Sequence, residues 1–272
     1  MVDTTATAPA VRTLPRRNNF LLATWSLFYR EVLRFLRQRN RVMGSIGTPL
    51  LFWAMLGSGF GESLRPPGME GALDYRTFFF PGTVMLVVLF TAIFSSISVI
   101  QDRNEGFLQG VVVAPVPRIS IVLGKVLGGA TLGLLQGLVL LLLAPLMGLP
   151  FSALGLLQGA AIVLLTAIGM SALGFAFAWR TDSVQGFHAV MNLLLMPMWL
   201  LSGALFPVEG AAQWIRYVMM ANPLHYGVNA LRQVQHGVPM EAFPWNETVV
   251  LGCFALVTVL LGVWLAGRPE KS

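Results

Sequence analysis

Charge is almost absent from five long stretches of this chain, and that pattern restricts what it can fold into. No Asp, Glu, Lys or Arg lies between Arg41 and Glu62, Arg76 and Asp102, Asp182 and Glu209, or Glu247 and Arg268, gaps of 20, 25, 26 and 20 residues. A helix crossing the hydrocarbon core needs roughly 20 mostly apolar residues, so each gap fits one crossing. The fifth gap, Lys125 to Arg180, holds 54 residues. At about 1.5 Å per residue that is two crossings, with a turn at Gly148-Leu149-Pro150. The charged fraction of 11%, against ~25% in soluble domains, excludes a large water-soluble globule. The expectation is an all-α integral membrane fold with six transmembrane helices near 42–60, 78–100, 120–147, 154–178, 185–206 and 248–266.

Six crossings put both termini on one side. With that side inside, the inner segments sum to +8 and the two outer ones to −1 each. Cytoplasmic loops carry the excess of Lys and Arg, so both termini are expected in the cytoplasm, and the basic charge reflects orientation rather than nucleic-acid binding. The 42–267 region is flanked by a disordered tail over 1–19 and a short cytoplasmic tail over 268–272. No secretory signal opens the chain, because some 40 polar and basic residues come first. The single cysteine, Cys253, reads as a small core residue of the last span.

Residues 20–41 have helical periodicity. Leu21, Trp25, Phe28, Val32, Phe35 and Leu36 share one face, and Arg30, Arg34, Arg37 and Arg41 cluster opposite. Such a helix lies in the headgroup layer, rings toward the acyl chains and arginines toward water and anionic lipid. It is either an anchor alone or also a collar against a cytoplasmic partner.

Between the second and third spans runs QDRNEGFLQGVVVAPVPR (101–118), where charges of both signs extend a membrane helix beyond the bilayer. Gly106 permits a break, residues 107–113 form a short helix, and Pro115 and Pro117 stop it. Arg118 and Lys125 mark the return into the membrane. The stretch DRNEGFLQGVVVAPVPRISIVLGKVLGG (102–129) resembles the cytoplasmic element of ABC-2 type transporter permeases, particularly drug-export and nodulation-type members. A second block, MPMWLLSGALFPVEGAAQWIRYVMMANPLHYGVNALR (196–232), is similar to the same family's outer segment.

The resemblance implies a coupling helix seated on a separate ATPase, with Gln101, Asp102, Arg103, Glu105, Gly106, Pro115 and Arg118 transmitting nucleotide-driven motion. Where the family has an acidic then an aromatic residue, this chain has Asn104 then Glu105, which turns the carboxylate by about 100°. In the second block Pro207 ends the fifth span, and Asn222-Pro223 divides two pieces, 211–220 and 224–236, too short to cross. With Trp214, Tyr226 and Arg232 they are expected as outer re-entrant helices. Phe52, Phe90, Phe94 and Met196 are candidates to line an apolar path, with lipid-facing or packed placement as the alternative. Two copies of the ATPase would hold ATP and Mg, leaving no cofactor on this chain. A second copy of the chain completes a homodimer in a bacterial cytoplasmic (inner) membrane. The implied task is outward export of a lipophilic, drug-like compound, or alternatively of a lipid-linked saccharide or polysaccharide.

Other chemistry lacks its residues. There is no G-x-x-x-x-G-K-[ST], and His188, His225 and His236 show no ligand spacing; packing is their expected role. No acid interrupts an apolar run, which argues against an ion-coupled pump. Gln136 and Gln158 are expected to bond helix to helix. An enzyme acting on lipid would need an acid/base cluster, for which 101–105 is the sole candidate, and a channel would need charged pore rings.

Overall fold

The computed structural model describes residues 20–60, 75–113, 116–149 and 151–268. The expected tails at 1–19 and 269–272, and Pro115 and Pro150, lie outside the described residues. Among the described residues ten α-helices form: α1 (Phe20–Arg37), α2 (Arg39–Phe60), α3 (Tyr75–Asn104), α4 (Phe107–Val113), α5 (Arg118–Leu143), α6 (Ala153–Arg180), α7 (Val184–Leu200), α8 (Gln213–Ala221), α9 (Pro223–Val234) and α10 (Trp245–Gly267). No strand occurs among the described residues. Helices α2, α3, α5, α6 and α10 are long and apolar enough to cross a membrane, and α7 is a shorter apolar helix. Burying every backbone polar group inside a helix is what lets such segments sit in hydrocarbon.

Helix α3 is the centre of the bundle. Its most apolar window is 89% buried, against 17% for α2 and 33% for α10. Phe79, Phe80, Met85, Leu86 and Leu89 of α3 are fully enclosed by α5, α6, α2, α7 and α9. The outer helices turn large apolar side chains outward instead, such as Met55, Leu256 and Trp264. Cys253 is also exposed there, which corrects its expected place in the core. Gln136 does join two helices, with Thr91 Oγ1 of α3 donating to its side-chain oxygen at 2.5 Å. Gln158 does not: its amide bonds both the nitrogen and the oxygen of Val238, in the segment after α9.

The amphipathic helix α1 departs most from expectation. It packs along α5 through Leu27, Glu31 and Phe35, a stripe between the two expected faces, while Leu21, Trp25 and Leu36 remain exposed. The cause lies in α5. A Cβ on Gly124 would stand 2.6 Å from Leu27 Cβ, and one on Gly128 would stand 2.8 Å from Glu31 Cβ. Two small residues one helical turn apart open a groove in which helix backbones approach closely. The fifth apolar helix also ends early. Pro207 does not terminate it; α7 stops at Leu200, and Gly203, at φ 86°, turns the chain. Pro207 instead precedes a 3₁₀ turn at Val208–Gly210.

Gly124→Leu should push α1 off α5. Overpacking of this kind costs about 1–3 kcal/mol, so a lower thermal midpoint in detergent is expected. Gly252→Ala, where a Cβ meets nothing within 4 Å, should leave the midpoint unchanged or slightly higher.

Candidate functional site

At the end of α3 the last helical turns leave the apolar core and meet α1 and α5. Asp102 has no exposed side-chain surface, and a buried carboxylate is tolerated only when paired and hydrogen-bonded. Arg30 of α1 meets it with both terminal nitrogens, at 2.7 and 2.8 Å. Arg34, one turn further along α1, donates to the same carboxylate. From the other side Lys125 Nζ of α5 donates to Asp102, to Glu31 at 2.6 Å and to Ser98 at 2.9 Å. Arg34 also reaches Glu105 at 3.0 Å and Gln101 at 3.2 Å. Three cations therefore face three carboxylates, and the knot carries no net formal charge. The bond to Asp102 pushes the Arg30 guanidinium above its ordinary range, so α1 delivers fixed charge to this junction.

The knot corrects one expectation about orientation. Arg30 and Arg34 point at α3 carboxylates, not at water and lipid, because the Gly124–Gly128 groove rolls α1 toward the bundle. Arg37 is exposed and Arg41 half-buried. Asp102 and Arg103, expected to transmit motion from an ATPase, tie the end of α3 to neighbouring helices. Arg103 donates to the carbonyls of Trp179 and Thr181, capping the end of α6, where backbone oxygens lack helical partners. Arg118 does the same for α10, donating to Ala266 and Gly267 at 3.0 and 2.8 Å. Gly106, at φ 75°, breaks the chain between α3 and α4. What remains on the surface is Asn104, Glu105, Gly106, Phe107 and Gly110, with Phe107 held under the Arg30 guanidinium at 3.7 Å.

Glu31 and Lys125 were not singled out as partners by sequence. The signal available was a lone acid among the arginines of α1 and a lysine beside a glycine pair spaced for close packing.

At the opposite end α9 packs on α6, α10, α3 and α7, and α8 lies against α9. Asn222 caps α9, accepting from Leu224 N at 3.1 Å, and donates to Met198 O in the last turn of α7. Pro223 opens α9, where a missing N–H costs nothing. Tyr226 donates to Met220 O at 2.8 Å, and Trp214 is exposed on α8. Arg232 donates to Gly203 O at 3.0 Å and Phe78 O at 3.2 Å, its guanidinium 4.1 Å above the Phe78 ring. The expected path residues do not converge. Phe90 stacks on Phe94, which meets His188, whereas Phe52 meets Trp199. Those two α7 contacts are eleven residues apart, about 16 Å along a helix. Met196 is half-buried. A separate apolar groove of about 330 Å³ runs between α7 and the α8–α9 elbow, lined by Leu193, Leu194, Pro197, Met198 and Val218 among others.

Lys125→Met leaves Glu31 buried without its cation, and breaking such a pair costs about 3–5 kcal/mol. Denaturant or thermal unfolding should show a large loss for that variant. The double variant Glu31→Gln with Lys125→Met removes both buried charges and should recover most of the stability.

Residues 23–236 match the ABC-2 type transporter family. A protein of Cyanophora paradoxa carrying the name of a transport permease, ycf38, is 26% identical over 78% of this chain and 74% of its own length. Nodulation protein J of Rhizobium meliloti strain 1021 is 24% identical over 84% of this chain and 86% of its own. YbhR of Escherichia coli K12, named for a multidrug ABC transporter permease, is 26% identical over 64% of this chain and 48% of its own. Permeases of this kind work with an ABC ATPase. A match over most of the chain, joined to the bundle of apolar helices, makes it an integral membrane protein belonging to the ABC-2 type transporter family.

Proposed function

We propose that the chain is the membrane-spanning half of an ATP-driven exporter that moves a lipophilic small molecule outward across a bacterial cytoplasmic membrane. Two chains would pair around the path, and two copies of a separate ATPase would supply ATP and Mg, with nothing catalytic on this chain. The observation that carries the reading is the charge knot at the end of α3. The surface turn 104–110 is fastened through Asp102 to α1 and α5 and through Arg103 to the end of α6. A displacement applied there moves several helix ends together, which is what a pump driven from outside the bilayer requires. The excess of Lys and Arg on the same side supports a cytoplasmic position for it.

The groove beside α7 supports an apolar cargo. Pockets for such ligands are largely apolar with few polar groups, and Leu193, Leu194, Met198 and Val218 meet that description. Export of a lipid-linked saccharide is the second reading, because an apolar groove suits a lipid-linked cargo as well.

The test is purification in mild detergent of the tagged chain with its ATPase. Replacing Asn104, Glu105 and Phe107 together by Gly and Ser should abolish ATPase co-purification while the permease stays folded. Unchanged co-purification would remove the turn from the coupling role. A purified chain that moved substrate without any ATPase would overturn the whole reading.

A further inference from the structure

The α7–α9 contact is held by a chain of hydrogen bonds in which every donor and acceptor is fixed by chemistry. His225 of α9 is buried, and its Nδ1 lies 3.1 Å from the carbonyl oxygen of Ser202. A carbonyl only accepts, so Nδ1 carries the hydrogen. In a neutral ring Nε2 then accepts, and Asn229 Nδ2 supplies the donor at 2.9 Å. With its nitrogen so committed, Asn229 turns its oxygen toward Arg232, whose Nη1 stands 3.5 Å away. Arg232 closes the chain on Gly203 O and Phe78 O. Ser202 and Gly203 belong to the turn that ends α7, and Phe78 to the first turns of α3. Side chains of α9 thus hold the broken end of α7 against α3.

We propose that α8 and α9 act as a lid over the end of α7 and that His225, Asn229 and Arg232 form its latch, closed while His225 is neutral and released when it takes up a proton. A proton on Nε2 sets two donors face to face across the contact with Asn229. If the Asn229 amide turns over to offer its oxygen, its nitrogen then opposes Arg232, so the conflict moves along the chain without being relieved. The new imidazolium also stands two hydrogen bonds from a guanidinium.

Among the described residues no acid neutralises the pair at contact. Glu209, in the turn after α7, and Glu247, in the first turn of α10, act on the ring from a distance. Neither makes an ion pair with His225 or Arg232 among the described residues. Helices α3, α6, α7 and α8 carry no acid at this end, and Arg216 of α8 is exposed. Burial holds the His225 ring below the usual imidazole range, and Arg232 adds to that effect. A group so depressed contributes stability above its ordinary pKa and loses it as pH falls through the folded value. Acid is therefore the releasing direction. Whether this end faces outward rests on the orientation proposed above; the latch itself does not.

Met219 of α8 is fully buried beside this turn, its Cε near Gly203, and Gln213 on the same helix is exposed. In a Cys253→Ser background, Met219→Cys reports lifting of the lid and Gln213→Cys is the reference for thiolate chemistry. Both are labelled with maleimide in the purified full chain in nanodiscs, where either face is reachable. Between about pH 7.5 and 5.5, a span that brackets imidazole titration, the ratio of the two rates should rise about fivefold or more. Fivefold is the fold-change expected from one lost hydrogen bond. His225→Gln, which keeps a neutral donor and acceptor, should hold the ratio low and flat. Arg232→Met should raise it at both pH values. A ratio that does not change with pH overturns the latch, as does a rise that persists in His225→Gln. Neither outcome bears on whether an ATPase binds at the other end.

Discussion

Everything at the polar end of this molecule depends on Asp102 being buried. A carboxylate at a membrane boundary would ordinarily sit in water, since isolation in a low-dielectric interior costs several kcal/mol. Here α1 and α5 supply three cations within hydrogen-bond reach, and Glu31 balances the one that comes from within the bundle. Because the charges cancel locally, the knot can be buried without a counter-ion. Because the partners are divided among α1, α3 and α5, none of these three helices can leave alone without stranding a buried charge. The result is a junction stiff enough to carry force, in contrast to an exposed ion pair, which is worth little.

Helix α3 joins that knot to the lid at its other end. Its Asp102 meets α1 and α5, and the carbonyls of Phe78 and Gly82 receive Arg232 and Trp199. Between them the helix is enclosed on nearly all sides. Close-packed interiors transmit displacement because they have no free volume to absorb it. A shift at one end is thus delivered to the other as translation or rotation of one rod, and no chain of small side-chain adjustments is needed.

The six apolar segments and the break at Gly106 were legible in the sequence because hydropathy and backbone freedom are local properties. The two motif blocks led to the family for the same reason: their residues are contiguous. What the sequence hid was partnership. Arg30 and Arg34 read as lipid-facing because helical periodicity says which residues share a face and not what that face meets. Only the groove at Gly124 and Gly128, set more than eighty residues away, decides the roll of α1. The end of α7 was hidden likewise. Leu201 to Phe206 continue an apolar run, and nothing local says that the helix stops at Leu200. The stop is possible because Asn222, His225 and Arg232, far along the chain, accept the task of bonding Met198, Ser202 and Gly203.

That last point bears on how a lid can move at all. A continuous helix through the bilayer satisfies its own backbone and gains nothing by opening. By stopping α7 short, the fold places carbonyl oxygens that need external donors at the very contact between lid and bundle. The donors come from α9, so lid closure and satisfaction of the α7 terminus become one event. Opening then costs the hydrogen bonds that α9 supplies, each worth on the order of 1 kcal/mol net, together with the apolar packing of Leu224, Val228 and Leu231, which are fully buried.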